Sequence, residues 1–218
     1  MTESARHGKL KQAPPSSAAC HSRKQDELEH KKWRLLRQIG AVGFLWNRPS
    51  DALWRCKTEE RNNLFGELEN ERKVIAAMVD GIKYPLYFRS EDMSLIESIF
   101  SNHESKPRCE FIAPLDPFMW DRKLIITMFE FDYTWEIYTP VVKRKYGHYV
   151  LPLLYGERFI GRIEAVADRK AGELVVKNIW YENDVRVNKN IQSAVDKCFQ
   201  RFALFNGCAT VVARVEKT

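Results

Sequence analysis

The chain has 218 residues, of which 44% are hydrophobic and 12% aromatic, a composition that excludes a disordered or fibrous protein and fits one large domain or two small ones. The net charge of +6 is unevenly placed, because residues 1–24 hold five basic and one acidic residue and leave 30 basic and 28 acidic residues in the body. Net charge alone therefore does not establish nucleic-acid binding.

The first part of the chain changes from a polar tail to helical patterns. Residues 1–24 have almost nothing to bury and are predicted to form a disordered basic tail. From Gln25 an apolar stripe at helical spacing predicts a helix that stops near Gly40 and Gly43. A short helix containing Leu53 and Trp54 should follow, capped by the residue at position 50 or 51. The next predicted helix, 58–72, buries an apolar stripe formed by Leu64, Phe65 and Leu68.

Two β-rich runs, 74–79 and 82–88, surround Asp80-Gly81 and predict a hairpin, in which Pro85 places the second run at a sheet edge. Helix, short helix, helix and hairpin in this order is the pattern of a winged helix-turn-helix. A closing helix at 91–100 is predicted to turn Leu95, Ile96 and Ile99 inward. The polar stretch 102–108 is the best domain boundary, so the predicted domains are a winged helix at 25–101 and a β-rich domain at 109–218.

The second predicted domain combines several strands with one long helix. A short amphipathic helix at 121–128 precedes strand-like runs at 135–138, 148–155, 159–166 and 174–181. A helix from Lys189 to Phe205 carries one apolar face that should pack on the sheet, and a last strand is predicted at 209–215. The expected fold class is therefore α+β, a winged helix-turn-helix followed by a β-rich, small barrel-like domain with one long helix.

Two groups of residues are candidate DNA contacts. Asn62 and Asn63 face away from the apolar stripe of helix 58–72, and asparagine can read a base edge. The same helix carries five glutamates against two arginines, which favours a structural role for it over direct base contact. Three cations and an aromatic residue between two strands suit a loop that contacts phosphates and stacks on a base. These residues are Lys143, Arg144, Lys145 and Tyr146. The alternative is a solvated hairpin end.

Acidic, histidine and cysteine residues give no clear catalytic or metal signature. Asp116 and Asp121 invite a general acid/base hypothesis, but capping and an ion pair with Arg122 explain them adequately. The same structural interpretation is preferred for Asp132, Glu136 and Asp168. The five cysteines include no C-x-x-C pair and the five histidines have no ligand spacing, so no metal or cofactor is expected. Free thiols, and the lack of a membrane-length apolar run or signal peptide, predict a cytoplasmic protein.

The most specific sequence feature is a set of motifs between Ala113 and Arg169. They read APLDPFMWDR at 113–122, FDYTWEIYTP at 131–140, KRKYG at 143–147, LPLLYGER at 151–158, GR at 161–162 and ADR at 167–169. This stretch resembles the C-terminal half of the YcaQ-like winged-helix DNA glycosylases, which remove alkylated bases and unhook interstrand crosslinks. The resemblance extends from about Trp33 to the C-terminus and implies double-stranded DNA as the partner of a monomeric protein. It also places the loop of Lys143 to Gly147 within the family's signature.

The family's catalytic motif is Gln-x-Gln or Gln-x-Asp in an earlier winged helix, where it positions a water for attack on the N-glycosidic bond. None of the five glutamines of this chain begins such a motif, so no catalytic residue is carried over. The resemblance thus implies a DNA-binding C-terminal portion that is not catalytic alone, as in a truncated or mis-started gene product. A stand-alone winged-helix DNA-binding or interaction protein and a decayed fragment remain as alternatives.

Overall fold

The structure is a computed structural model that describes residues 17–50, 53, 56–101 and 106–213, with side chains from Gln25 onward. The first helix, α1, runs Ser17–Val42 and so begins before the predicted start at Gln25. Residues 17–24, predicted as part of a disordered tail, are therefore helical in their backbone. The rest of that tail, Trp54 of the predicted short helix and residues 102–105 of the predicted boundary lie outside the described residues.

A small antiparallel sheet follows α1 along the chain. Its strands are β1 (Leu45–Trp46), β2 (Val74–Ala77) and β3 (Leu86–Arg89), in the order β1-β3-β2, and α2 (Thr58–Asn70) lies between β1 and β2. The prediction that Pro85 puts its run at a sheet edge was wrong, because β3 is the middle strand. Pro85 comes just before β3, so its missing N–H removes no ladder hydrogen bond.

The core of this helical half lies between α1, α2 and β3. Leu64, Phe65 and Leu68 of α2 are buried there, as their spacing predicted, against Leu35 and Ile39 of α1. The ring of Tyr87 on β3 lies 4.4 Å from that of Phe65, centroid to centroid. The apolar faces of α1 and α2 therefore pack against the small sheet.

The closing helix, α3 (Met93–Ser101), contradicts one prediction. Leu95 and Ile99 were expected to face inward, yet they are 59% and 61% exposed, and no α3 residue is buried. An amphipathic pattern fixes which side chains share a helix face, but burial requires a second element against that face. Phe44 and Phe88 lie across from that face, but an open cavity separates them from Leu95 and Ile99 and leaves these side chains exposed.

A larger sheet forms the second half, in the order β4-β5-β6-β7-β8. The strands are β4 (Cys109–Phe111), β5 (Val150–Tyr155), β6 (Arg158–Asp168), β7 (Glu173–Tyr181) and β8 (Thr210–Ala213). Neighbours are antiparallel except β7 and β8, which are parallel because α5 (Lys189–Phe205) crosses between them. The mixed α+β class and the bounds of α5 are confirmed. The sheet remains open, with β4 and β8 as its edges, so the barrel-like description holds only as a curled sheet.

Two details of this half differ from the predictions. The motif around Trp135 to Tyr138 forms a short 3-10 helix, Glu136–Tyr138, where a strand was predicted, and β4 was not predicted. The short helix α4 (Arg122–Phe129) is confirmed within one residue at each end. Alternation of residue types at 135–138 predicted a strand, but the Glu136 carboxylate bonds to the backbone of residues 145–147 and the chain turns there instead.

Each face of the larger sheet has its own packing. Val195, Cys198 and Phe199 of α5 are buried against the sheet, as predicted from their spacing. A second aromatic cluster centres on Phe159, whose ring stacks 4.4 Å from that of Phe131. Leu124 of α4 joins the residues around Trp46 in a further cluster, which connects the two halves of the molecule.

Candidate nucleic-acid interface

The basic motif lies in a segment that folds back on Glu136, and residues 136–147 are called the Glu136 loop below. The Glu136 carboxylate is buried and accepts hydrogen bonds from three successive backbone N–H groups. The Oε1 atom lies 2.7 Å from Lys145 N, and Oε2 lies 2.8 Å from Tyr146 N and 3.2 Å from Gly147 N. One side chain thus fixes the backbone of the second half of the basic motif, from Lys145 to Gly147, which supports the structural interpretation of this acid.

The ionisation of Glu136 follows from those bonds. Burial opposes the charged form, but the three N–H donors and the nearby Arg144 guanidinium outweigh it and hold the pKa of Glu136 below its ordinary value. The carboxylate is therefore charged at neutral pH. A charged acceptor strengthens each of these hydrogen bonds relative to a neutral one.

The predicted phosphate-contacting cations differ in their surroundings. Lys143 and Lys145 are exposed, and no described carboxylate forms an ion pair with either. Arg144 is partly buried, and its Nε donates a 2.9 Å hydrogen bond to the Thr139 carbonyl oxygen. Lys145 Nζ lies 5.0 Å from the Tyr146 ring centroid. Two of the three cations are thus exposed and without an ion pair among the described residues, while the third also holds the loop together.

Tyr146 packs inward on a buried arginine. The Arg162 guanidinium carbon lies 4.3 Å from the Tyr146 ring centroid and 4.6 Å from that of Phe131. Arg162 also donates a 2.7 Å bond to Glu182, and Trp180 meets the Tyr146 ring edge-on at 5.4 Å. The ring predicted to stack on a base therefore makes its main contacts within the protein.

The second predicted set lies in the helical half. Asn62 and Asn63 are exposed on α2, as their spacing predicted. The Asn62 side-chain oxygen accepts a 2.8 Å hydrogen bond from Asn47, whose own oxygen accepts 2.6 Å from Arg61 Nε. Arg61 is buried, so this arginine is not a surface cation. The structure places Asn62 and Asn63 on α2 in the helical half, whereas the basic motif lies in the Glu136 loop before β5.

Lysines of α1 neutralise part of the acidic surface of α2. Lys31 Nζ lies 2.7 Å from the Glu60 carboxylate, and the buried Lys32 pairs with Glu71. Hydrogen bonds to Glu27 and then to Glu60 raise the pKa of Lys31, and bonds to Glu29 and then to Glu71 raise that of Lys32. The same lysines lower the pKa values of Glu60 and Glu71. The partly exposed pair of Lys31 and Glu60 contributes little to stability. Both pairs reduce the repulsion that α2 would exert on phosphates.

The two aspartates of the 113–122 motif act as caps, as the structural interpretation expected. Asp116 accepts a 2.9 Å bond from Phe118 N, and Asp121 accepts a 3.0 Å bond from Leu124 N at the start of α4. The expected ion pair with Arg122 does not form. Its guanidinium carbon lies 4.6 Å from the Tyr133 ring centroid, and its Nη2 donates to the Pro114 carbonyl oxygen.

A second basic region lies between β4 and α5. It surrounds a cavity of about 500 Å³, and none of the described lining residues is acidic. Its cations include Lys106 and Lys197, which form no ion pair with a described carboxylate, and Arg201, which lies 3.0 Å from Glu110. Sequence reasoning did not identify this region because its cations come from distant parts of the chain.

Other site types find no support in the described residues. No three His, Cys, Asp or Glu side chains among them are close enough to hold a metal ion. No helix within the described ranges has the length and apolar character needed to cross a bilayer.

Three exposed apolar residues lie beside the basic motif, Tyr138, Val141 and Val142, and the sequence patterns did not single them out.

The family of the chain follows from its comparison with known proteins. A family model described as DNA glycosylase AlkZ-like matches residues 4–205, which include the Glu136 loop and most of both halves of the molecule. No solved structure matches the chain. The match confirms the resemblance carried by the motifs between Ala113 and Arg169. The chain belongs to the AlkZ-like DNA glycosylase family.

Proposed function

We propose that the chain binds double-stranded DNA as the DNA-binding, C-terminal part of an AlkZ-like glycosylase that acts on alkylated or interstrand-crosslinked DNA. The Glu136 loop carries the proposal, because it exposes Lys143 and Lys145 on a hydrogen-bonded backbone: Lys145 N donates to the Glu136 carboxylate and Lys143 N to the Pro140 carbonyl oxygen. Because the backbone that carries these lysines is already ordered, binding a phosphate there costs less conformational entropy than binding it to a mobile loop. Membership of a DNA glycosylase family supports DNA as the ligand.

We propose that residues 25–101 act as a winged helix and 109–218 as the second domain. The order α1, β1, α2, β2, β3 and the sheet order β1-β3-β2 support this interpretation. In such a domain α2 approaches the major groove, where Asn62 and Asn63 reach base edges or phosphates. The neutralisation of Glu60 and Glu71 by α1 makes that approach electrostatically easier.

We further propose that this chain does not break the N-glycosidic bond by itself, because it contains neither Gln-x-Gln nor Gln-x-Asp. The test is incubation with duplex DNA containing N7-methylguanine, followed by quantification of the free base. Release at the spontaneous rate is expected. Release well above that rate, lost when the protein is heat-inactivated, would show that a different set of residues catalyses the reaction.

DNA contact by the Glu136 loop is tested through the salt dependence of duplex binding. Each lost phosphate contact lowers the slope of log K against log salt by about 0.9, so Lys143→Ala/Lys145→Ala should lower it by about two. Tyr146 and Arg144 contribute by orienting the loop, so their alanine variants should weaken binding together with stability.

The matched control is Lys106→Ala/Lys197→Ala, which removes two unpaired lysines from the second basic region. Its slope should equal that of the wild type. A slope lowered only in this control would show that the phosphate contacts lie in the region between β4 and α5. Absence of salt-dependent duplex binding by the wild type would overturn the proposed function as a whole.

A stand-alone DNA-binding protein without a glycosylase role is the second candidate, favoured by the missing glutamine motif. The two candidates differ in their response to a lesion. The glycosylase part should bind an alkylated or crosslinked duplex more tightly than an unmodified one. Equal affinity for both duplexes, with a steep salt dependence, would favour the stand-alone protein.

A further inference from the structure

The outer end of the Glu136 loop is apolar, and its three apolar side chains are called the apolar tip. Tyr138 is 91% exposed, Val141 73% and Val142 92%. Covering any of these side chains would lower the free energy of the system, because apolar surface would leave water. Exposed apolar residues grouped in one short loop mark an interaction site more often than a single exposed residue does.

The backbone beneath the apolar tip is held by hydrogen bonds. Thr139 N donates to the Glu136 carbonyl oxygen at 2.9 Å, and Lys143 N donates to that of Pro140 at 2.8 Å. The Arg144 side chain donates to the Thr139 carbonyl oxygen, and the Glu136 carboxylate accepts from the backbone N–H of Lys145 at the end of the loop. The apolar tip is thus presented on a fixed support. Valine side chains are also restricted at χ1, so their burial costs little entropy.

The charges around the apolar tip indicate the kind of partner. Lys143 directly follows Val142, and Lys145 lies two residues further on. Lysine is depleted at protein–protein interfaces, whereas a cation beside an apolar or aromatic group suits a ligand with phosphates next to flat bases. The Tyr138 ring meets Trp135 edge-on at 6.2 Å and is otherwise exposed, so its face can stack on a base.

We propose that the apolar tip contacts nucleobases at a distorted step of duplex DNA. Tyr138 stacks on an unpaired or displaced base, Val141 and Val142 enter the disrupted stack, and Lys143 and Lys145 bind the flanking phosphates. Unstacking a base pair costs free energy, and this cost is lowest where the pair is already mismatched or damaged. The apolar tip therefore gives preference for distorted DNA. This inference rests on the proposed function, since it assumes that the chain binds DNA.

The experiment compares two duplexes of the same length, one intact and one with a single mismatch next to 2-aminopurine. The full chain should prefer the mismatched duplex and increase the 2-aminopurine fluorescence as that base leaves the stack. Tyr138→Ala should lower affinity for the mismatched duplex by roughly 5- to 150-fold, with an unchanged salt slope. Val142→Ser should lower it in the same direction. Val187→Ser changes an exposed valine outside the loop and should have no effect.

The outcomes separate this inference from the proposed function. Salt-dependent binding without preference for the mismatch, unchanged by Tyr138→Ala and Val142→Ser, would overturn the inference and leave the proposed function standing. Loss of salt slope in Tyr138→Ala would also overturn it, because the residue would then act through the lysines. No DNA binding by the wild type would overturn the proposed function first. Unfolding curves of the variants should match that of the wild type, since all three substituted side chains are exposed.

Discussion

The indole nitrogen of Trp46 donates a 2.7 Å hydrogen bond to the Asp121 carboxylate, and both side chains are buried. Trp46 ends β1 in the helical half, whereas Asp121 caps α4 in the sheet half. Its second carboxylate oxygen accepts from Leu124 N at 3.0 Å. One carboxylate therefore starts a helix and joins the two halves of the molecule, which is a structural reason for an aspartate in the 113–122 motif.

Asp121→Ala should lower the free energy of unfolding by about 2–4 kcal/mol, because it removes a helix cap and leaves a buried indole N–H without a partner. Urea denaturation monitored by tryptophan fluorescence gives the value. Asp116→Ala is the matched control, since Asp116 caps only a short 3-10 turn, and its cost should be about 1 kcal/mol. Equal losses in the two variants would mean that the bond to Trp46 adds nothing.

Glu136→Gln should lower the free energy of unfolding by about 1–3 kcal/mol, because the amide replaces one acceptor oxygen by a group that cannot accept from the backbone donors. DNA affinity should fall as well, since Lys145 loses its fixed position. Asp116→Asn serves as a control for a loop carboxylate that does not support the basic motif. Unchanged DNA affinity in Glu136→Gln would show that this side chain does not position Lys145 for DNA binding.

The contribution of Glu136 should also depend on pH. The folded-state pKa is lowered, so the stabilisation is fully present above the ordinary value of 4.5 and is lost as pH falls through the lower folded value. The difference in unfolding free energy between wild type and Glu136→Gln should therefore shrink on acidification. Unfolding curves measured between about pH 3 and pH 7 test this, and a constant difference would contradict it.

Cys56 should react slowly with alkylating reagents at neutral pH. Burial, followed by a hydrogen bond to Glu60, raises the pKa of its thiol to about 11. The thiolate is the reactive form, so the rate of iodoacetamide labelling at Cys56, followed by peptide mass spectrometry, should keep rising until about pH 11. Glu60→Gln should shift that profile to lower pH. A plateau near pH 8.5, the value of a free thiol, would contradict the burial effect.

Gly161→Ala should destabilise the larger sheet. A Cβ atom at this position would lie 2.2 Å from the Trp180 carbonyl oxygen on the neighbouring strand, which is backbone and cannot swing away. The cost should be about 1–3 kcal/mol or more. Gly66→Ala on α2 is the control, because nothing lies within 4 Å of its Cβ position and alanine favours a helix by about 0.5–1 kcal/mol. The midpoint temperature of thermal unfolding should fall in Gly161→Ala and rise in Gly66→Ala.

Local sequence patterns determined much of the fold. The apolar spacing of Val195, Cys198 and Phe199 placed α5 on the sheet, and the stripe of Leu64 and Phe65 defined the buried face of α2. The motifs between Ala113 and Arg169 determined the family. Periodicity and motif spacing are properties of neighbouring residues, so they can be read without knowing which elements meet in space.

The tertiary structure alone decided which side chains were covered and which were left in water. Leu95 and Ile99 share an apolar face, but that face borders an open cavity and is exposed. The Glu136 carboxylate is bound to residues nine to eleven positions ahead, and the exposure of Tyr138 follows from that reversal. Burial, hydrogen bonding across a turn and contact between distant strands depend on long-range geometry, which the order of residue types along the chain does not specify.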